Sequence, residues 1–341
     1  MVAQRQRFLK GAHELKGIEA PLANDIFDTM EKFAGYGFNK SHAAAYALIG
    51  YHTAYLKRHF PVAFLAASMS LDLHNTDKLA AFFQEAKRLI IPVIAPDVNV
   101  STSVFDVAGD SIVYALGALK GVGPEAMANL VREREANGPF ECLHDLAERV
   151  DPKDINKKCF EQLSKAGGFD AMEPNRARVL KSAPILAATC ASSAEDRAGG
   201  QGGLFGDAEP AMRADLPKAA AWNMQEKLDQ EFAAIGFYFS GHPLDDILDS
   251  LEEGRITYAM NIEETAVDGR PSELIGVVRR RVEKPARNGG KFAFLTLSEP
   301  TGEVELMVMP ELLSDMREQL EPGSAVVILT EVRRRDDEIR L

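Results

Sequence analysis

At 341 residues and 37.3 kDa the chain has room for two or three domains with cores of their own. A composition 46% hydrophobic and 26% charged, with a mean hydropathy of −0.16, excludes a disordered chain. The net charge of −12 argues against attraction of the whole chain to nucleic acid, yet the charge is uneven. Residues 1–90 read as helical. Asn24-Asp25 is placed to cap a helix through IFDTMEKFAGYG, with Gly35 and Gly37 to end it. Ser41 precedes a long helix, HAAAYALIGYHTAYLKRHF, stopped by Pro61, which suits the first turn of the next. Asn75-Thr76 caps DKLAAFFQEAKRL. IIPVIAPDVNVS reads as extended and irregular, and DSIVYALGAL as a short strand entering a turn. In LKGVGPEAMANLVRERE (119–135) two glycines bracket a valine and Pro-Glu opens an amphipathic helix. Short helices follow over 141–190, broken at Asp151-Pro152 and at the turn AGGFD.

Residues 191–221 are mainly Ala, Gly, Ser, Asp and Pro and read as a flexible linker. A helix begins near Trp222 and ends before the turn SGHPL. From about residue 272 the period becomes alternating. ELIGVVRRRVEK, KFAFLTLSE, GEVELMVM and SAVVILTEVRR are four strand-like runs, with the helix ELLSDMREQL between the third and fourth. That is the layout of an OB-type barrel, whose fifth strand would start at EIRL. The fold expected is mostly α with a C-terminal β domain.

Charge and chemistry concentrate in a few places. Residues 1–60 hold eight Lys/Arg against five Asp/Glu, residues 278–291 six against one, and residues 215–272 four against twelve. Two basic zones thus flank an acidic one, either as solvated faces or as the places where a polyanion is held. Leu119-Lys120-Gly121-Val122-Gly123-Pro124 has the form of a helix-hairpin-helix loop. There the glycines adopt angles other residues resist, and open amides with the next helix N-terminus receive a DNA phosphate. The competing reading is a plain glycine turn, and the full context favours phosphate. In Gln201-Gly202-Gly203-Leu204-Phe205 an apolar pair stands in a polar stretch, either to dock in a partner's pocket or to fold back on its own domain. Gly35–His42 sets Asn39, Lys40 and His42 at a loop-to-helix junction, which alone reads as a capped helix start. No phosphate loop, GxGxxG, HExxH or Asp-x-Asp cluster occurs, so no catalytic and no metal-ligating residues are expected in the chain. No apolar run reaches the roughly 18 residues of a membrane helix. The first residues lack the apolar stretch of a secretory signal, and Cys142, Cys159 and Cys190 form no CxxC pair, so a cytoplasmic location with no membrane is expected.

Taken together, EKFAGYGFNKSHAAAYALIGYHTAYLKRHFPVAFLAA (31–67), IVYALGALKGVG (112–123), KAGGFDAMEPNRA (165–177), QGGLF (201–205) and IGFYFSGHPL (235–244) resemble the α subunit of bacterial DNA polymerase III, the replicative C-family polymerases. The resemblance implies the C-terminal part of the helical fingers over 1–105 and a helix-hairpin-helix region over 106–190. A linker with a clamp-binding motif over 191–221, a helical connector over 222–271 and an incomplete OB domain over 272–341 would follow. It implies that Lys120, Gly121, Val122 and Gly123 hold duplex DNA. Arg279, Arg280, Lys284, Arg287 and Lys291 would lie along the template, and Asn39, Lys40 and His42 would face the nucleotide or template side of the fingers. Gln201, Leu204 and Phe205 would enter the β sliding clamp. Phe292 and Phe294 are expected in the barrel core rather than on the nucleic-acid face. The implied partners are primer–template DNA, the clamp and other holoenzyme subunits. The catalytic palm and its Mg2+ would belong to the parent DNA-directed DNA polymerase, leaving this stretch inactive alone and without a cofactor. An error-prone C-family paralogue and a free-standing DNA- and clamp-binding adaptor are the alternatives.

Overall fold

The computed structural model describes residues 2–35, 40–199, 213–248, 250, 256–265, 267–286, 289–335 and 338–341. It divides between Pro61 and Val62 into two compact units. In the first, α1 (Val2–Lys16) pairs with α2 (Ala20–Gly35), and α3 (Lys40–His59) follows. Helix α2 begins before the expected Asn24 cap, since Pro21 suits a first turn. Asn24 lies inside the helix, its amide donating to the Ala20 carbonyl at 3.0 Å. The Phe8 and Phe27 rings meet at 5.6 Å, and Arg5 pairs with Asp28 and Glu31, both at 2.5 Å. Helix α3 buries none of its residues.

In the second unit α4 (Pro61–Leu71, from Val62 on) precedes α5 (Thr76–Arg88), the latter capped by the Asn75 side chain. Strands β1 (Val93–Ile94), β2 (Asp106–Ala108) and β3 (Ser111–Val113) form a small sheet of order β1-β3-β2. A single 3-10 turn, Leu116–Ala118, leads to α6 (Pro124–Asn137), α7 (Leu143–Arg149), α8 (Lys157–Ala166) and α9 (Arg176–Gly199). Helix α10 (Met224–Ile235) opens with a reciprocal Asn223/Glu226 capping box. Leu65, Met69, Leu79 and Phe83 of α4 and α5 share one core with Tyr114, Leu116, Met127, Phe160 and Phe237. Residues 62–105 therefore pack with the hairpin region that follows them.

The stretch read as a linker is largely ordered where it is described. Helix α9 continues through residues 191–199, because Ala, Ser and Glu sustain a helix. Arg197 in its last turn donates to the carbonyls of Glu148 and Val150. On the other side, Arg213 forms two 3.0 Å bonds to the Glu148 carboxylate, and Asn175 donates to the Ala219 carbonyl at 2.9 Å. Composition missed these contacts because each is made to a segment far away in sequence.

After two short helices, α11 (Asp245–Leu248) and α12 (Ile262–Thr265), come β4 (Pro271–Pro285), β5 (Lys291–Glu299), β6 (Gly302–Val308), α13 (Pro310–Met316) and β7 (Ala325–Glu331). They form an antiparallel half-barrel of order β6-β5-β4-β7, followed by the hairpin β8 (Arg333–Arg335) and β9 (Glu338–Arg340). The fold is mostly α with a C-terminal OB-type β domain. Leu274, Val278, Ala293, Leu295, Leu297, Leu306 and Leu313 fill its core. Phe292 and Phe294 alternate to the other face and are only half-buried, which corrects their expected place in the core. The period of two admits one set or the other, and the smaller Ala293, Leu295 and Leu297 fit the narrow interior. The Leu341 carbonyl accepts from the Met307 N–H at 2.9 Å, so the end of β9 reaches the outer edge of β6. Among the described residues no helix is long and apolar enough to cross a membrane.

Candidate nucleic-acid interface

The Gly-Val-Gly loop joins the 3-10 turn Leu116–Ala118 to α6, so the helix entering the hairpin is reduced to a single turn. Gly121 has φ +74°, a left-handed angle that favours glycine. A side chain there would also come within 2.6 Å of Lys158 Cε and 2.8 Å of its ammonium nitrogen. Gly123 has φ −80° and ψ 130°, ordinary extended backbone, and a β-carbon there would meet only Ala126, at 3.7 Å. Of the two glycines only Gly121 is conformationally required, which corrects the reading that both are.

Gly123 caps α6 with no side-chain hydrogen bond and Pro124 has no N–H, so the Glu125 and Ala126 amides of the 14-residue helix have no capping side chain, while the Met127 N–H donates to the Gly123 carbonyl at 3.1 Å. Lys120 precedes the loop in sequence, and its side chain turns toward the end of α10. Its backbone N–H donates to the Ala234 carbonyl at 2.8 Å, and its ammonium lies 5.7 Å from the centre of the Phe232 ring. Burial, and then the neighbouring charge of Arg279, hold its pKa below the ordinary lysine value. Val122 is 7% exposed and belongs to the core, so it offers the loop its backbone alone. Lys158, from the first turn of α8, went unrecognised in the sequence. Its only signal was the pair Lys157-Lys158 just after the Asn156 cap.

The β domain offers a second surface. Directly opposed residues share a face, so Arg280/Thr296, Val282/Phe294 and Lys284/Phe292 lie together, joined by Met307 opposite Phe294. The Phe292 and Phe294 rings meet at 5.5 Å, and the Lys284 ammonium lies 4.7 Å from the Phe294 centre. Two expected contacts are placed elsewhere. Lys291 falls on the opposite face, 3.3 Å from Glu283, a carboxylate held down to about 2 by its hydrogen bond to Arg317 and by Lys291. The Arg279 side chain is 11% exposed and fully engaged within the unit. It pairs with Glu303, donates to the Gly236 carbonyl at 2.8 Å, stands 3.4 Å from Asp77, and covers the Phe232 ring at 5.5 Å.

In the first unit Lys40 and His42 open α3, the His42 ring 4.4 Å from Tyr46. Asn39, Arg287, Gln201, Leu204 and Phe205 lie outside the described residues.

A glycine hairpin ahead of α6 and a basic, aromatic OB face define a protein built from two nucleic-acid-binding modules. The helix-hairpin-helix motif family matches residues 90–179, and the OB-fold nucleic acid binding domain family matches residues 273–341. Over its whole length the chain is 48% identical to DNA polymerase III subunit alpha of Caulobacter vibrioides, covering 30% of that protein. Over 99% of its length it is 39% identical to the Thermus aquaticus protein of the same name, covering 27% of it. A third such protein, from Neisseria meningitidis serogroup B, is 38% identical over 98% of the chain, which covers 29% of the relative. The chain belongs to the DNA polymerase III α-subunit family and spans about 30% of the length of the curated relatives it matches.

Proposed function

We propose that the chain is the DNA-gripping and clamp-tethering part of a replicative C-family polymerase. The observation that carries this reading is the amide cradle at Gly121–α6, with the Lys158 ammonium against Gly121. Backbone amides and lysines hold phosphate irrespective of sequence, as an enzyme moving along its template requires. The OB face takes unpaired template bases on Phe292 and Phe294, with Arg280 and Lys284 for the backbone. Gln201, Leu204 and Phe205 enter the sliding clamp, and the tether converts a modest affinity into processivity. Lys40, His42 and Asn39 belong to the nucleotide side of the fingers. Nucleotidyl transfer and its Mg2+ are assigned to the parent polymerase, together with the other holoenzyme subunits. Among the described residues no three His, Cys, Asp or Glu come together to hold a metal ion.

Fluorescence anisotropy on duplex DNA over a salt series tests the cradle. Lys120→Ala with Lys158→Ala should weaken binding at least tenfold and reduce the salt slope by about two. Unchanged affinity and slope would refute it. Calorimetry of Leu204→Ala with Phe205→Ala against a bacterial sliding clamp tests the tether, where intact affinity would refute the assignment. Primer extension with Mg2+ and four dNTPs should give no product from this chain alone.

A further inference from the structure

Arg279 was expected on DNA, and its surroundings give it another task. Along β4 the pairing with β5 shifts between Val278 and Arg280, so Arg279 is the extra residue of a bulge, turned out of the strand's alternation. All its contacts lead to groups of the same unit. Glu303 belongs to the β domain, while Asp77, the Gly236 carbonyl and the Phe232 ring belong to the helical part. Lys120 of the hairpin rests on the same Phe232–Gly236 turn. Gly236, at φ +104°, leaves space there, since a β-carbon would come within 2.5 Å of Lys120 Cε and 2.3 Å of Thr76 Cγ2. The closing turn of α10 thus carries the hairpin's lysine and the β domain's arginine side by side.

We infer that Arg279 is a positioning residue that sets the distance between the duplex cradle and the OB face, so that both engage one DNA at a duplex-to-single-strand junction. This rests on the two-surface reading above. Two weak sites held at a fixed separation act on one ligand with a high effective concentration, and lose that gain when the link between them loosens. Freeing an arginine from two acids would make it a better phosphate ligand if phosphate were its purpose. The positioning role requires the opposite.

The test uses the whole chain and three labelled DNAs read by anisotropy: a blunt duplex, a single strand, and a duplex with a 5′ overhang. Wild type should bind the overhang DNA more tightly than either simple DNA. Arg279→Ala should reduce overhang binding about tenfold while changing blunt-duplex and single-strand binding less than twofold. Asp77→Asn with Glu303→Gln keeps the arginine and removes its acidic partners, and should show the same selective loss. Were that double variant to bind all three DNAs more tightly, Arg279 would be a direct phosphate contact and the inference wrong. Unchanged overhang binding in both variants would also overturn it. A wild type that binds the overhang DNA no better than the blunt duplex would overturn the two-surface reading itself.

Discussion

His242 is 6% exposed in the loop between α10 and α11. The Leu244 N–H donates to its Nδ1 at 3.2 Å, so its Nε2–H donates to Ser298 Oγ at 3.3 Å, and Tyr238 packs edge-on. Burial pushes its pKa down to about 4, with Asp245 pulling it up and Lys87 further down. The unfolded histidine takes its proton near pH 6.5, before the folded one does. Stability is therefore complete above about pH 6.5 and falls as the pH drops toward 4, by roughly 3 kcal/mol in all. Urea unfolding at pH 7 and pH 4.5 should show a loss about 2–3 kcal/mol larger in wild type than in His242→Gln. Equal losses would exclude His242 as the source. Tyr114 is a simpler case. It is wholly buried, edge-on to Phe105 and Phe239, and its hydroxyl has no partner among the described residues. Tyr114→Phe should stabilise the protein by about 1 kcal/mol. A lower melting temperature would mean that the hydroxyl is satisfied.

The hairpin is where sequence and structure part most instructively. Gly121 and Gly123 look equivalent as letters, but only Gly121 sits at positive φ against the Lys158 arm. Gly121→Ala should cost about 1–3 kcal/mol and weaken duplex binding, whereas Gly123→Ala should leave both nearly unchanged. Thermal melts with duplex anisotropy distinguish the two, and equal effects would refute the assignment of strain to Gly121. Helix starts were legible because a cap is local chemistry. Asn75 and Pro61 stand where the sequence put them. The Asn24 cap failed because Pro21 offered the helix an earlier start, and several residues can compete for one N-terminus. The alternation of β5 was legible, but its parity was not, because Phe292 and Phe294 on one face and Leu295 and Leu297 on the other are each apolar enough to face a core.

Across the second unit, the most consequential contact joins residues far apart in the chain. Arg176, 7% exposed, binds Asp170 at 2.7 Å and Glu231, 1% exposed, at 3.1 Å, while Glu231 also accepts from the Ser240 N–H at 2.8 Å. This ties α9 to α10, which carries the turn beneath Lys120 and Arg279. Removing one partner leaves a buried charge uncompensated, so Glu231→Ala should destabilise the protein by about 3–5 kcal/mol. A calorimetric melt checks this, and a loss under 1 kcal/mol would show that water replaces the carboxylate.

The sequence alone determined most element types, the cap at Asn75, the first-turn proline at Pro61, the glycine hairpin, the strand region and the family resemblance, because each is written in contiguous residues. Only the tertiary structure decided which basic residues face solvent. Arg279, Arg280 and Lys291 read alike as members of one basic run. The bulge at Arg279 and the period of β5 send them to a strut, an aromatic face and an ion pair with Glu283. Lys158 joined the cradle for the same reason. A charge count records what a segment carries, whereas the direction and partners of each side chain depend on strands and helices that come from elsewhere in the chain.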